Sequence, residues 1–325
     1  MCLMKVSQWL PRKVVIIGAG AVGSTFAYAL AQSGVADKIA LIDNNNELAK
    51  GQILDLSHGL AFFPQLDLYV GSPADYHDAS IIIITAGAKQ QPGDSRIDLL
   101  SRNATIMKKI AQDITAQNSN AIIVVVSNPV DILTYILLKE LGWPSGRVIG
   151  SGTVLDSARF RYLLSKCCRI DVHNIHGYIL GEHGDSEFAA WSLTHLAGKP
   201  VNEHCTICAE TADCQAIHQR IEDDVRSSAY HIIDYKGATN FAIGMALVRI
   251  VTAILRNQRS VLTVSTLLQG EYGLKDVCLS LPCVVSQEGV EQIIEGNLTS
   301  NEQLKLSHSA SVLQKSYNEL YTTQK

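Results

Sequence analysis

Lys13-Val14-Val15-Ile16-Ile17-Gly18-Ala19-Gly20-Ala21-Val22-Gly23 is the stretch on which the reading of this chain turns. An apolar, β-branched run feeds a G-x-G-x-x-G turn, and residues 22–32 behind it have helical composition. Each glycine has its own mechanical reason. Gly18 takes the tight turn, Gly20 lets a pyrophosphate approach the backbone, and Gly23 lets the helix pack against the strand. The first amides of that helix, Val22 included, then face phosphate oxygens. The next strand-like run, Ile39 to Ile42, ends in Asp43, about 20 residues beyond the glycines, where a carboxylate accepts bonds from an adenosine ribose diol and repels a 2′-phosphate. The fingerprint favours NAD over NADP; FAD and S-adenosylmethionine remain competitors on this motif alone.

Further β-branched runs occur at residues 66–70, 81–85, 121–126 and 147–149, separated by stretches of helical composition at 47–58, 99–117 and 132–141. This alternation predicts an α/β fold, a doubly wound parallel sheet of Rossmann type with helices on both faces. Strands apolar at nearly every position, such as Ile81 to Ile84, suit burial on both faces. From about Thr153 the pattern changes to a helix (154–167), short strand-like pieces (175–180, 188–193), helices (214–234, 240–256), two β-like runs (260–268, 277–286) and a helical tail (302–320). We therefore expect a nucleotide-binding domain over 1–152 and a mixed α+β substrate domain over 153–325, with a soft boundary.

Composition narrows the function. The 325 residues suffice for two compact units, and a formal charge of −4 recommends neither nucleic acid nor an anionic membrane surface as partner. The longest dense apolar runs are strand-length, and Lys5, Ser7 and Gln8 interrupt the N-terminal segment, so neither a membrane span nor a signal peptide is expected, which points to the cytoplasm. Eight cysteines without an export signal read as thiols rather than a disulfide framework.

Chemistry-bearing residues sit where such a sheet would place them. His183, in Gly181-Glu182-His183-Gly184-Asp185, occupies a glycine-bounded turn suited to proton transfer. Asp156, at a helix start, offers a carboxylate to orient the imidazole, and Arg159 shares its helix face, although that pair alone would also read as an intrahelical salt bridge. Arg96 follows a Gly- and Pro-containing loop, 86–94, with the character of a mobile cover. Ala86, Gly87, Ser127 and Asn128 end two strands, the edge at which open α/β sheets bind ligands.

The series IIGAGAVGS, LIDNN, ILDLSHG, TAGAKQQPGDSRIDLL, VVSNPVDILT, GSGTVLDSARFR, GEHGDSE and KGATNFAIG resembles the L-lactate/malate dehydrogenase family end to end and in its order. The resemblance implies NAD as cofactor and pyruvate/L-lactate as the substrate pair. By that resemblance His183 is the proton donor and acceptor, Asp156 its partner, Arg159 the clamp on the substrate carboxylate, and Arg96 the lid residue that polarises the carbonyl. Asn128 and Thr239 complete the substrate pocket. A malate enzyme of this family carries arginine where Gln90 stands. A neutral Gln90 leaves a second carboxylate unpaired and so favours pyruvate over oxaloacetate. Lys89, Gln91 and Asp94-Ser95 depart from the commonest lid wording, which bears on breadth towards longer 2-oxo acids. Two other readings stay open, a malate or broader 2-hydroxyacid dehydrogenase and a non-catalytic nucleotide-binding protein, the latter disfavoured by the intact polar residues.

The resemblance also implies that Arg161 and His176 match the positions at which bacterial members bind fructose 1,6-bisphosphate between subunits. Cys205, Cys208, Cys214 and His218 superficially resemble a zinc site, but thiols without metal are the expectation. Vicinal Cys167 and Cys168 read as structural. Only 18% of residues are charged and 47% are hydrophobic, which, with the family's habit of assembly, leads us to expect a homotetramer or dimer.

Overall fold

The computed structural model describes residues 11–88, 95–201 and 214–322. Its centre is a nine-stranded sheet. Six strands, β1 (Lys13–Ile17), β2 (Lys38–Ile42), β3 (Asp67–Val70), β4 (Ile81–Ile84), β5 (Ile122–Val125) and β6 (Val148–Gly150), run parallel in the order β3-β2-β1-β4-β5-β6. Chain order reverses between β1 and β4, and this crevice is where a doubly wound sheet accepts a nucleotide.

The central strands β4 and β5 are apolar at every position because both faces are covered. On one side Val14, Ile16, Ile81 and Ile83 pack with Phe26 and Leu30 of α1 (Ala21–Ser33), beside α2 (Asn46–His58). On the other, Val15, Ile82, Ile84 and Val125 pack with Met107 and Ile114 of α3 (Arg96–Ala116) and with Leu133 and Leu137 of α4 (Val130–Leu141). Alternate residues of one strand thus feed two separate cores.

Beyond β6 the chain forms α5 (Val154–Cys168), five two-residue strands from β7 (Ile175–His176) through β8 (Ile179–Leu180), β9 (Phe188–Ala189) and β10 (His195–Leu196) to β11 (Lys199–Pro200), then α6 (Cys214–Lys236), α7 (Phe241–Leu255), β12 (Ser260–Gln269), β13 (Lys275–Ser286), β14 (Gly289–Ile293) and α8 (Ser300–Thr322). The 175–180 run is not one strand. Gly177 lies between β7 and β8 against Phe160, whose ring would be 2.8 Å from any Cβ placed there.

The C-terminal half does not stand apart from the parallel sheet. β12 pairs antiparallel with β6 through Ser265 and Gly150, and β13 and β14 extend the same sheet. Glycine permits that junction, since a Cβ on Gly152 would sit 2.5 Å from the Ser265 amide nitrogen. Helix α7 packs in the α1 core through Leu247, Ile250 and Ile254, while Leu306 and Leu313 of α8 enter the opposite one. Strand β14, polar at two of its five positions, carries too weak an apolar signal to be read from sequence. Among the described residues, no helix is long and apolar enough to cross a membrane.

Candidate active site

The glycine turn is a cradle in structure as in sequence. Gly18 adopts φ +108°, and a Cβ on Gly23 would sit 1.9 Å from the Gly18 carbonyl oxygen, so neither position admits a side chain. Around Gly20, by contrast, an added Cβ would meet nothing within 4 Å. The helix behind it has no side-chain cap at its N-terminus, which leaves amides for a phosphate. At the end of β2 the Asp43 carboxylate accepts the Ala19 amide at 2.6 Å and the Asn45 amide at 2.8 Å, holding it beside the turn. Thr85 donates its hydroxyl to the carbonyls of Ile17 and Gly18, both at 3.0 Å, and Ser127 donates to the Ala86 carbonyl at 2.5 Å. These residues fit a dinucleotide, with open space where the pyrophosphate backbone must approach and a carboxylate where a ribose must bind.

The catalytic candidates converge at the carboxyl edge of the same sheet. His183 Nδ1 lies 2.7 Å from Asp156 Oδ2, and the other oxygen, Asp156 Oδ1, accepts Arg159 Nη1 at 2.6 Å. Asp156 is 2% exposed whereas the His183 side chain keeps 26%, so the imidazole is open to a ligand while its partner is not. The His183 loop is held from three directions. Gly181 exchanges backbone hydrogen bonds with Ser280 of β13 (3.0 and 2.9 Å), the Glu182 amide donates to Ser309 Oγ of α8 at 2.6 Å, and the His183 amide donates to Asp131 Oδ2 of α4 at 2.8 Å. Asp131 Oδ1 in turn accepts the Ser265 hydroxyl of β12 at 2.5 Å.

Electrostatics follow from this geometry. Burial alone would depress the His183 pKa, but the charge and hydrogen bond of Asp156, reinforced by Glu187 and Asp131, outweigh it and push the group up to about 9. Burial works against ionised Asp156, yet His183 and Arg159 hold its carboxyl below the ordinary value. Burial pushes Asp131 up to about 6. Sequence reading left Glu187 without a role, although it is buried and its carboxylate lies within 4.8 Å of ligand atoms of Asp156 and His183. Burial and the Asp156 charge raise its pKa well above the usual range, against the pull of His183, Arg159 and Arg226. The signal available for Asp131 was a carboxylate inside the apolar run Val130-Asp131-Ile132-Leu133; Glu187 had none beyond its place before Phe188.

Arg96 stands apart from this cluster. It is 88% exposed at the start of α3, with Nη2 3.1 Å from Asp185 Oδ2, and Tyr230 donates to the other oxygen of Asp185 at 3.0 Å. Asn128 is exposed at the end of β5, and Thr239 is half-buried in the α6–α7 connection. Gln90, Cys205 and Cys208 lie outside the described residues. His218 stacks on Trp191 with ring centroids 3.5 Å apart. Arg161 Nε donates to the Ser157 carbonyl at 3.2 Å and lines a small cavity with Gly177 and Tyr178, next to exposed His176 in sequence. Burial lowers the Arg161 pKa.

A dinucleotide cradle beside a histidine held by a buried carboxylate, with an arginine on the same carboxylate, defines a class, that of nucleotide-dependent dehydrogenases. The family model described as lactate/malate dehydrogenase, NAD binding domain, matches residues 12–150, and the one described as lactate/malate dehydrogenase, alpha/beta C-terminal domain, matches 153–324. The chain belongs to the lactate/malate dehydrogenase family. It is 58% identical over 309 residues to an L-lactate dehydrogenase of Treponema denticola, covering 95% of this chain and 98% of that one. It is 49% identical to L-lactate dehydrogenase 1 of Clostridium acetobutylicum, again over 95% and 98% of the two chains. The crystal structure of the minor L-lactate dehydrogenase from Enterococcus mundtii in its ligands-bound form superposes with a TM-score of 0.92 at 43% identity, covering 95% of this chain and 98% of that one.

Proposed function

We propose that the chain is an NAD-dependent L-lactate dehydrogenase, interconverting pyruvate and (S)-lactate. One observation carries this reading, the Asp156 carboxylate shared between His183 and Arg159. Asp156 keeps the imidazole protonated at neutral pH and fixes Nδ1 inward, so Nε2 is the atom that gives a proton to the substrate oxygen and takes it back in reverse. Arg159, tethered through one nitrogen, offers the remaining edge of its guanidinium to the substrate carboxylate. Gly18, Gly20, Val22, Gly23, Asp43, Ala86, Gly87, Ser127 and Asn128 would hold NAD, which when bound would supply the hydride acceptor or donor. Asn128 and Thr239 line the substrate pocket. Arg96 leaves Asp185 to meet the developing negative charge on the carbonyl oxygen. Residues 1–152 hold the dinucleotide and 153–325 supply the proton-transfer and carboxylate-binding groups.

Charge selects the substrate. Arg159, the cation placed on the Asp156 carboxylate beside His183, offers one guanidinium edge to one substrate carboxylate. A dicarboxylate would need a further cation, which neutral Gln90 does not provide. The test is NADH oxidation with pyruvate and assignment of the product's hand. Rapid turnover to (S)-lactate is expected, with a loss of about 10²- to 10⁴-fold in His183→Gln; an inactive wild-type protein would reject the reading.

Three finer assignments accompany it. Arg161 and His176 bind fructose 1,6-bisphosphate as an activator, supported by the cavity beside Arg161; superimposable pyruvate saturation curves with and without the bisphosphate would reject this. The chain assembles as a homotetramer or dimer, supported by exposed Phe62, Tyr235, Phe241 and Met245. It works in the cytoplasm.

A further inference from the structure

Beyond β4 and β5 the backbones part once Val126 and Ser127 have donated to the Ile84 carbonyl, Ser127 Oγ still reaches the Ala86 carbonyl at 2.5 Å, and both strand ends belong to the proposed ligand site. A second bridge is supplied by a side chain that belongs to neither strand. Asn103, on α3, is 2% exposed among the apolar residues Leu100, Ala104 and Met107 of its own helix. Its Oδ1 accepts the Ala88 amide at 2.7 Å and its Nδ2 donates to the Asn128 carbonyl at 2.8 Å. The amide group lies against Gly87, where a Cβ would be 3.4 Å from Asn103 Oδ1 and 3.6 Å from Ser127 Cβ. Asparagine is a poor helix former, and a buried primary amide is costly unless both ends are satisfied. Here both are, and both bonds go to backbone at the site.

We propose that Asn103 is a positioning residue, which fixes the 86–88 and 127–128 strand ends relative to each other and to the helix that begins with Arg96. A carboxamide offers an acceptor and a donor on one rigid plane at every pH, so it can pin an N–H of one segment and a C=O of the other at once. By taking the Asn128 carbonyl it leaves the Asn128 side chain to the substrate. Arg96 sits seven residues earlier on α3, about 10 Å along the axis, so the same two bonds set where the lid arginine's helix starts relative to the pocket. The role rests on the functional reading above, but its structural half does not.

Three measurements test it on the full-length enzyme. In the unmodified protein the Ala88 amide exchanges with solvent more slowly than an open strand end, and in Asn103→Leu, similar in size but without polar atoms, that exchange accelerates about tenfold or more. Asn103→Leu also loses roughly 10- to 100-fold in kcat/KM for pyruvate, counted per NADH-binding site, and it weakens NADH as well, because the proposed contacts at 86–87 and 127–128 move with the unpinned strand ends. Asn103→Asp gives a signature that a purely structural role would not. When protonated, the introduced carboxyl still accepts from Ala88 and donates to Asn128. When ionised, it opposes the Asn128 carbonyl. The groups facing it, Gly87, Ala88, Ser127 and Asn128, are all uncharged. Activity of Asn103→Asp relative to wild type therefore falls about tenfold from pH 6 to pH 8, a range in which His183 of the wild type stays protonated. Unprotected Ala88 exchange in the wild type overturns the proposal. So does an Asn103→Asp to wild-type ratio that is flat with pH, or wild-type kcat/KM in a folded Asn103→Leu. If Asn103→Leu does not fold, the exchange and the Asn103→Asp profile decide. A wild-type protein that fails to reduce pyruvate condemns the functional reading, and the exchange measurement then judges Asn103 by itself.

Discussion

At His183 two opposing forces meet, and the sign of the result sets the enzyme's pH behaviour. Burial favours the neutral imidazole and Asp156 favours the charged one, and Asp156 prevails, placing the pKa at about 9 against 6.5 for an ordinary histidine. Pyruvate reduction needs the charged form, so its kcat/KM should be level below about pH 9 and fall above it, while lactate oxidation gains as pH rises through the same value. Asp156→Asn removes the charge and leaves burial, so the break should move to below the ordinary histidine value; a pH–rate profile with an unmoved break would show that Asp156 does not tune the imidazole. Stability follows the same linkage. A raised folded pKa contributes stability that is fully present below pH 6.5 and is lost as pH rises through about 9, which thermal unfolding across that range would register. Residue type and helix spacing brought out His183, Asp156 and Arg159 as groups that could meet, as they do, while their roles came from the family resemblance. They did not reach Glu187, Asp131 or Asn103, whose parts depend on which segments the fold brings against them. Arg96 was legible as a residue, but its exposed pairing with Asp185 was not, since the two lie 89 positions apart.

At the scale of the element, the glycine turn separates two demands that the motif presents as one. A Cβ on Gly23 collides with the Gly18 carbonyl oxygen at 1.9 Å, whereas a Cβ on Gly20 meets nothing. Gly23→Ala should therefore destabilise the protein itself, by about 1–3 kcal/mol or more, lowering the midpoint of thermal unfolding. Gly20→Ala should leave that midpoint within a degree or two of wild type and weaken NADH, because its methyl group occupies space the pyrophosphate needs. Equal midpoints for the two variants would contradict this division. The parallel strands were predictable to within a residue or two at most ends, since apolar runs such as Ile81–Ile84 carry the signal in every residue. Weakly apolar β14, and the splitting of 175–180 by Gly177, were not, because edge pairing and contact with Phe160 are tertiary facts.

On the scale of the whole molecule, the two sequence regions share one sheet and two cores. β12 lies on β6, α7 packs with α1, and α8 closes the face that α3 and α4 begin. Residues 1–152 alone would expose the β6 edge and the apolar surface of α1, so we expect the full chain to unfold in one cooperative transition and the isolated segment not to fold; two resolved calorimetric transitions would contradict this. The modest charge and high apolar content are only partly absorbed by these cores, and exposed Phe62, Tyr235 and Phe241 leave surface for a second copy. Light scattering of the purified protein should give a dimer or tetramer mass, and a monomer would refute that assignment. All of this serves the proposed active site, in which one guanidinium, that of Arg159, is placed to clamp one substrate carboxylate. Gln90→Arg, which adds the missing cation, should move preference towards oxaloacetate. The most direct measurement is the ratio of kcat/KM for pyruvate to that for oxaloacetate with NADH in the wild-type enzyme. A ratio of roughly 100 or more in favour of pyruvate is expected, and a ratio at or below unity would contradict a site built for one carboxylate.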